Sequence, residues 1–144
     1  MTEEIFVTKS SEETQRLARK LAKELKGDEI IALFGNLGSG KTTFVQGLAK
    51  GLGIKERMIS PTFIIVREHK FQEQHGLRKF YHVDLYRVQK IGGLELEEIL
   101  SSKNRIIVIE WAEKIKNLLP KKRIEIYFEY VSENERRVAV KRYG

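Results

Sequence analysis

A glycine-rich segment of the form Gly-x-x-x-x-Gly-Lys-Thr occupies residues 35–42. Segments of this form bind phosphate for two reasons. Their glycines let backbone N–H groups turn towards the phosphate, and the N-terminal end of the following helix carries a partial positive charge. Lys41 is expected to reach the β- and γ-phosphates of a nucleotide, and the Thr42 hydroxyl to contact a bridging Mg²⁺. The expected nucleotide contacts are Gly35, Asn36, Leu37, Gly38, Ser39, Gly40, Lys41, Thr42 and Thr43.

Two carboxylates stand where nucleotide hydrolysis needs acidic groups. Asp84 follows the strand-like run 79–83, and Glu110 follows the apolar run 105–109. Ligands of open α/β sheets bind at the carboxyl ends of strands, so both acids are expected near the phosphates. Either one could hold the Mg²⁺ shell while the other orients or deprotonates the attacking water. With Lys41, these two acids are the candidate catalytic residues.

Two neighbouring segments carry polar side chains that could act at the same site. His82 and Asp84 share one face of a strand, so a hydrogen bond between them could orient the carboxylate. Arg87 could contact a phosphate or an acid of a partner, or it could simply lie on the surface. The segment Ser60-Pro-Thr-Phe63 stands where phosphate-loop proteins place a γ-phosphate sensor, which makes Thr62 a candidate, although a plain proline turn would explain it too.

Apolar periodicities along the chain predict the elements that position these residues. The predicted strands cover 5–7, 29–34, 62–68, 79–84, 105–110, 123–130 and 137–142. The predicted helices run from Ser10 to Gly27, from the phosphate loop to 51–53, from Leu94 to Ser102, and as a helical turn from Trp111 to Leu119. Two hairpins are expected, 62–68 with 79–84 and 123–130 with 137–142.

The order of these elements predicts an α/β fold of the P-loop NTPase type. This fold is a three-layer sandwich, and here its central sheet is expected to be mixed, with parallel strands near the loop and antiparallel edge strands. The run 105–110 is the most apolar in the chain and is expected to be a central strand. A length of 144 residues predicts one domain over 1–144.

Composition narrows the chemistry and the setting. The chain has no cysteine, which excludes disulfides, zinc–thiolate sites and thiol nucleophiles. The net charge of +7 favours phosphate-rich partners such as nucleotides and RNA, although an ordinary surface rich in Lys and Glu would give the same value. No run approaches the roughly 18 apolar residues of a membrane span, so we expect a cytoplasmic protein without membrane contact.

Four motifs stand in order along the chain. They are Gly-x-Leu-Gly-x-Gly-Lys-Thr-Thr at 35–43, Ser-Pro-Thr-Phe at 60–63, His-x-Asp-Leu-Tyr-Arg at 82–87 and Ile-Glu-Trp-x-Glu-Lys at 109–114. Together they resemble the bacterial TsaE family of tRNA threonylcarbamoyladenosine biosynthesis. The resemblance implies a Mg²⁺-dependent ATPase that binds ATP or ADP and works with the TsaD and TsaB proteins on the adenosine beside the anticodon. It implies contact with tRNA only through that complex.

The family pattern also implies roles for particular residues. It makes Thr42 and Glu110 the metal contacts and Asp84 a residue required for hydrolysis. It makes 60–63 a switch-like loop. Trp111 would belong to the functional motif, although a large apolar anchor beside the site would look the same. The residues assigned to switching or partner contact are Ser60, Thr62, Arg87 and Trp111.

Other functions stay open at this point. A small-molecule P-loop kinase would share the loop, but it would need an acceptor pocket and usually an arginine-bearing lid. No Asn-Lys-x-Asp sequence is present to read guanine, which disfavours a GTPase. A nucleotide-controlled assembly switch with negligible catalysis is a further alternative, and it is compatible with the ATPase hypothesis. Under the ATPase hypothesis, we expect the isolated protein to be a monomer or weak oligomer that hydrolyses ATP slowly. Asn36 stands where the family commonly has aspartate, and a changed turnover is the most we expect from it.

Overall fold

The computed structural model describes residues 1–36, 38–56, 66–73, 76–86 and 94–144. Its strands are β1 (Thr2–Thr8), β2 (Ile30–Phe34), β3 (Val66–Glu73), β4 (Gly76–Asp84), β5 (Arg105–Glu110), β6 (Arg123–Tyr130) and β7 (Arg136–Tyr143). Its helices are α1 (Ser11–Ala22), α2 (Lys41–Gly51), α3 (Leu94–Ser101) and a 3₁₀ helix over Ala112–Leu118. Within these ranges, no helix has the length and apolarity that a membrane crossing requires.

The strands form one sheet in the order β1-β7-β6-β2-β5-β4-β3. β2 pairs in parallel with both β5 and β6, and β4 pairs in parallel with β5. The remaining pairs, β1 with β7, β6 with β7 and β3 with β4, are antiparallel. The prediction of a mixed sheet with antiparallel edges is therefore confirmed, as are both predicted hairpins. The phosphate loop leaves the sheet from β2, in its parallel middle.

The sheet separates two hydrophobic cores. On one face, Ile31 and Leu33 of β2 pack with α1 and α2. On the other face, Ile30, Ala32 and Phe34 of the same strand pack with the 3₁₀ helix and α3. Because side chains alternate along a strand, a central strand covered on both faces needs an apolar residue at every position. Both β2 and β5 are buried throughout, and three layers result, as predicted.

Glycines on α2 let the two helices of the first layer approach closely. A Cβ on Gly47 would lie 2.5 Å from the carbonyl oxygen of Gln15, and one on Gly51 would lie 2.6 Å from Cβ of Ala22. These distances are far shorter than van der Waals contact between carbon atoms, about 3.5–4.0 Å. Only glycine therefore permits this contact, which packs the helix after the phosphate loop directly against the backbone of α1.

α1 is shorter than the sequence predicts. It begins as predicted, with the Ser10 hydroxyl accepting the N–H of Glu13 at 3.1 Å, but it ends at Ala22 instead of Gly27. After Ala22 the N–H groups of Glu24 and Leu25 donate to the carbonyl oxygens of Leu21 and Ala22, three residues back instead of four, so the α-helix ends in a tight turn. The Glu29 carboxylate then accepts the backbone N–H groups of residues 26–28, which holds the segment before β2 outside the helix.

Both strands of the β3–β4 hairpin extend into the polar segment 70–78 that was predicted to connect them, since β3 reaches Glu73 and β4 begins at Gly76. The two strands pair from Val66 opposite Val83 to Glu73 opposite Gly76. Phe71 is buried and anchors the strand within the core next to α1 and α2. Polar residues alternate with such anchors, which is why the segment looked like a loop by composition alone. The earlier part of the predicted strand 62–68 lies outside the described residues.

Candidate functional site

The predicted phosphate loop connects β2 to α2. Gly40 caps the N-terminus of α2 with a left-handed backbone (φ 103°), which favours glycine. A Cβ on Gly35 would lie 2.9 Å from the carbonyl oxygen of Phe128, so that position also requires glycine. The Ser39 hydroxyl is buried and has no hydrogen-bond partner among the described residues. A buried hydroxyl at this position can donate to a phosphate oxygen.

A cavity of about 330 Å³ opens over this loop. Its walls come from the N-terminal ends of α1 and α2, the carboxyl ends of β4 and β5, and the turn between β6 and β7. The lining includes Ser10, Ser11, Gly38, Ser39, Gly40, Lys41, Thr42, Thr43, Asp84, Glu110, Trp111, Glu133, Asn134 and Arg136. The structure thus brings the loop, both predicted acids and Trp111 to one cavity.

Glu110 is buried, with 3% of its surface exposed, and two side chains hold its carboxylate. Its Oε1 accepts the Thr42 hydroxyl at 3.2 Å, and its Oε2 lies 2.6 Å from Nε2 of His82. The sequence-based prediction of a bond between His82 and Asp84 is wrong. His82 stands opposite Val108 and Asp84 stands opposite Glu110, so Glu110 is the diagonal neighbour of His82 on β5. The longer glutamate side chain spans that diagonal to the imidazole, whereas an oxygen of Asp84 accepts the backbone N–H of Tyr86.

Asp84 stands directly opposite Glu110 in the parallel register of β4 and β5. Its Oδ1 accepts the backbone N–H of Tyr86 at 2.9 Å, which shapes the turn after the strand. Asp84 is half-buried, and like Glu110 it lines the cavity over the phosphate loop. The two carboxylates differ in burial, since Glu110 is only 3% exposed.

Lys41 is buried and lines the cavity beside Glu110. Its ammonium group donates to the carbonyl oxygen of Gly35 and lies 3.6 Å from the centre of the Trp111 ring. Burial lowers the pKa of Lys41 below its usual 10.5, and the negative charges of Glu113, Glu110 and Asp84 partly offset that effect. A buried ammonium group interacts more strongly with a phosphate oxygen than an exposed one does, because the surrounding dielectric constant is lower.

The segment after β5 completes the site with two more side chains. Trp111 has a left-handed backbone (φ 60°, ψ 43°), which is unfavourable for a tryptophan, and its ring packs on Tyr86 with 5.0 Å between ring centres. Glu113 accepts the backbone N–H of Gly35 at 3.1 Å and so ties this segment to the phosphate loop. The sequence analysis did not single out Glu113, although it is the second acid of the motif 109–114.

The oxygen ligands at the loop fit Mg²⁺. The Thr42 hydroxyl and the Glu110 carboxylate are hard oxygen donors, and Asp84 stands beside them. The described part of the chain contains no group of three or more His, Cys, Asp or Glu residues that could hold a metal ion. Mg²⁺ does not need such a group, because it commonly binds through one or two carboxylates and the phosphates of a nucleotide. The site therefore suits a metal that arrives with its nucleotide.

The far end of the cavity is built by the turn between β6 and β7. The Arg136 guanidinium donates to the carbonyl oxygens of Ser132 at 2.7 Å and Glu135 at 3.0 Å, and it lies over the ring of Tyr130. These contacts fix the turn that carries Glu133 and Asn134 into the cavity wall. Leu37, Ser60, Thr62 and Arg87 lie outside the described residues, so what the sequence predicts for them stays a prediction.

Comparison with known proteins agrees with this arrangement. Residues 8–138 match the family described as threonylcarbamoyl adenosine biosynthesis protein TsaE. The chain is similar to the tRNA threonylcarbamoyladenosine biosynthesis protein TsaE of Bacillus subtilis, with 35% identity over 95% of this chain and 84% of that protein. It is also similar to the protein of that description in Aquifex aeolicus, with 38% identity over 94% of each. Bacillus subtilis YdiB, known from a crystal structure, superposes with a TM-score of 0.81 at 31% identity, covering 99% of this chain and 87% of that one.

Proposed function

The chain belongs to the TsaE family and has its P-loop NTPase fold, and from that premise we propose that it is a Mg²⁺-dependent ATPase of tRNA threonylcarbamoyladenosine biosynthesis. The observation that carries the proposal is the bond of 3.2 Å between Thr42 on the phosphate loop and the buried Glu110 on β5. It links the part of the site that binds phosphate to the part that supplies a carboxylate for metal-assisted hydrolysis.

The phosphates of ATP bind at the N-terminal end of α2. Backbone N–H groups of the loop and the Ser39 hydroxyl donate to phosphate oxygens, and the helix dipole adds positive charge. Lys41 exchanges its contacts with the Gly35 carbonyl and the Trp111 ring for the β- and γ-phosphates. The exchange is favourable because a hydrogen bond to a charged phosphate oxygen replaces a bond to a neutral carbonyl.

Hydrolysis then uses the two acids in different ways. Thr42 and Glu110 hold Mg²⁺, which when bound neutralises negative charge on the β- and γ-phosphates. Asp84, at the cavity wall, orients the attacking water and accepts its proton as the new bond to the γ-phosphorus forms and the bond to the ADP oxygen breaks. Lys41 stabilises the charge that develops on the leaving phosphate oxygen.

The nucleoside occupies the end of the cavity beyond the phosphates. Ser10 and Ser11 at the start of α1 form one wall there, and Glu133 and Asn134 form the other. These walls offer hydroxyl, carboxylate and amide groups to the base and the ribose. We assign ATP and not GTP, because the chain contains no Asn-Lys-x-Asp sequence to read guanine.

The activity is expected to serve an assembly. TsaD and TsaB are the proposed protein partners, with tRNA reached through them, and the protein alone is a single domain that is monomeric or weakly oligomeric. The work of this assembly on tRNA would place the protein in the cytoplasm. In the isolated protein the Lys41 ammonium already has partners within the chain, which supports slow hydrolysis until the complex forms.

The test is phosphate release from ATP with Mg²⁺, measured with and without purified TsaD and TsaB. We expect slow release by the protein alone, faster release in the complex, and none with Lys41→Ala. Lys50→Ala, at the exposed end of the same helix, is the matched control and should keep full activity. Rapid release without partners would contradict a dependence of the activity on the assembly, and transfer of phosphate to a small metabolite would favour a kinase.

A further inference from the structure

We propose that His82 is a positioning residue that holds Glu110 in the orientation in which it can bind Mg²⁺. The inference rests on the proposed function of the site and goes beyond it, because it concerns a residue that touches neither nucleotide nor metal. His82 lies on β4 with none of its surface exposed. The cavity beside Glu110 is lined by residues of the loop and strand ends, and His82 is not among them.

The contact between the two side chains has a defined direction. Nε2 of His82 lies 2.6 Å from Oε2 of Glu110. A carboxylate that binds Mg²⁺ is ionised and can only accept hydrogen bonds, so in that form of Glu110 the Nε2 atom must carry the hydrogen and donate it. The imidazole thus occupies one oxygen of Glu110 from inside the protein, on the side away from the cavity.

The second oxygen of Glu110 is thereby directed towards the phosphate loop. Oε1 accepts the Thr42 hydroxyl at 3.2 Å, and Thr42 is the residue expected to contact Mg²⁺ from the loop. Without the imidazole, Oε2 would be buried with no donor, which is costly for a carboxylate. The side chain would then turn to satisfy that oxygen, and Oε1 would leave the position facing Thr42.

A purely structural role would make different demands on this position. His82 stands opposite Val108 on β5, in a row of buried side chains where an apolar residue would fill the same space. The proposed role requires a hydrogen-bond donor at the place of Nε2. Second-shell donors of this kind typically change metal affinity by about 10–100-fold when they are removed.

The experiment compares nucleotide binding in EDTA and in Mg²⁺ by calorimetry, with ADP as the probe. We expect His82→Leu to bind ADP in EDTA as the parent does, but to need at least about tenfold more Mg²⁺ for the gain in affinity that Mg²⁺ produces. His82→Gln can place an amide N–H where Nε2 stood and should keep most of that gain. His82→Asn is too short to reach Glu110 and should lose it.

Control variants distinguish a positioning role of His82 from an effect on the stability of the protein and from a failure of the proposed function. Val108→Ala weakens the same row of core residues and should lower the melting temperature while keeping the Mg²⁺ requirement of the parent. If His82→Leu does not fold, the contrast between His82→Gln and His82→Asn decides the matter. Equal Mg²⁺ requirements in those two variants, or an equal loss of ADP affinity in EDTA and Mg²⁺, would overturn the inference. If the parent shows no gain with Mg²⁺, the proposed function of the site fails instead.

Discussion

Glu110 and Asp84 stand opposite each other on neighbouring strands, yet their surroundings differ. Glu110 is buried between the Thr42 hydroxyl and the His82 imidazole, whereas Asp84 lies half-buried at the cavity wall. Fixed orientation suits a metal ligand, and access to the cavity suits a group that handles water. These different surroundings support the proposed division of roles, with Glu110 at the metal and Asp84 at the attacking water.

Replacing Glu110 with glutamine should lower ATP hydrolysis in the reconstituted complex by at least about 100-fold, because the variant loses the negative charge that holds the metal. Phosphate release under saturating ATP is the measurement. The control is Glu129→Gln, an exposed acid on β6 that should leave the rate unchanged. Retention of the parent rate by Glu110→Gln would remove this residue from the mechanism.

Glu113 provides a second prediction about a single side chain. Its carboxylate accepts the Gly35 N–H at the first turn of the phosphate loop. Glu113→Ala should weaken ADP binding about 5–10-fold, in line with roughly 1 kcal/mol for a lost hydrogen bond, because the loop loses a support. Calorimetry measures the affinity, and Glu97→Ala on the exposed side of α3 is the control. Unchanged affinity in Glu113→Ala would show that the loop holds its shape without this acid.

The helices α1 and α2 pack very closely, because Gly47 and Gly51 of α2 face α1. Gly47→Ala should destabilise the protein by about 1–3 kcal/mol, since its Cβ would overlap the backbone of Gln15. The measurement is urea unfolding followed by circular dichroism. Lys50→Ala, on the exposed side of the same helix, should stay within about 0.5 kcal/mol of the parent. A Gly47→Ala variant as stable as the parent would mean that the helices can separate at little cost.

The strand β6 carries a buried acid whose charge contributes to stability. Burial pushes the pKa of Glu125 up, but hydrogen bonds from Tyr127 and Arg123 outweigh that effect and hold it below its usual 4.5. A carboxyl whose pKa is lower in the folded state stabilises that state above pH 4.5, and this contribution is lost as the pH falls below it.

Glu125→Gln should therefore melt below the parent at pH 7, and the difference should shrink as the pH falls below the usual glutamate value. Thermal unfolding at a series of pH values is the measurement. Glu129→Gln, on the same strand but exposed, should show little dependence of this kind. A constant difference for Glu125→Gln across the acid range would contradict the linkage.

Periodicity predicted which elements exist more reliably than where they end. The predicted bounds of the strands 105–110 and 123–130 agree with the structure, because the apolar pattern of a strand follows the burial of its side chains. The end of α1 could not be predicted, since the N–H groups of Glu24 and Leu25 bond carbonyls three residues back, a change that apolar periodicity does not signal. The partner of His82 was missed for a related reason, because strand order was needed to show that β5 lies beside β4.

Across the whole molecule, the nucleotide site is where separate parts of the chain converge. The cavity joins the starts of α1 and α2, the ends of β4 and β5, and the turn after β6. A ligand that contacts all of them stabilises the folded state as a unit, because the unfolded chain cannot bind it.

ATP with Mg²⁺ should therefore raise the melting temperature of the isolated protein. At a ligand concentration about 100 times the dissociation constant, the gain is about 2.7 kcal/mol, which corresponds to several degrees for a domain of this size. Differential scanning calorimetry measures the shift, and Lys41→Ala should show much less of it. An equal shift in Lys41→Ala would place nucleotide binding elsewhere.

The glycine contacts between α1 and α2 also restrict how the molecule can respond to its ligand. α2 spans eleven residues, which is about 16 Å, so its two ends belong to different regions of the surface. Because no side-chain layer separates the helices at Gly47 and Gly51, they cannot slide past each other by exchanging rotamers. A tilt of α2 at its Lys41 end would therefore move α1 with it, so the two helices would respond to a bound phosphate as one unit.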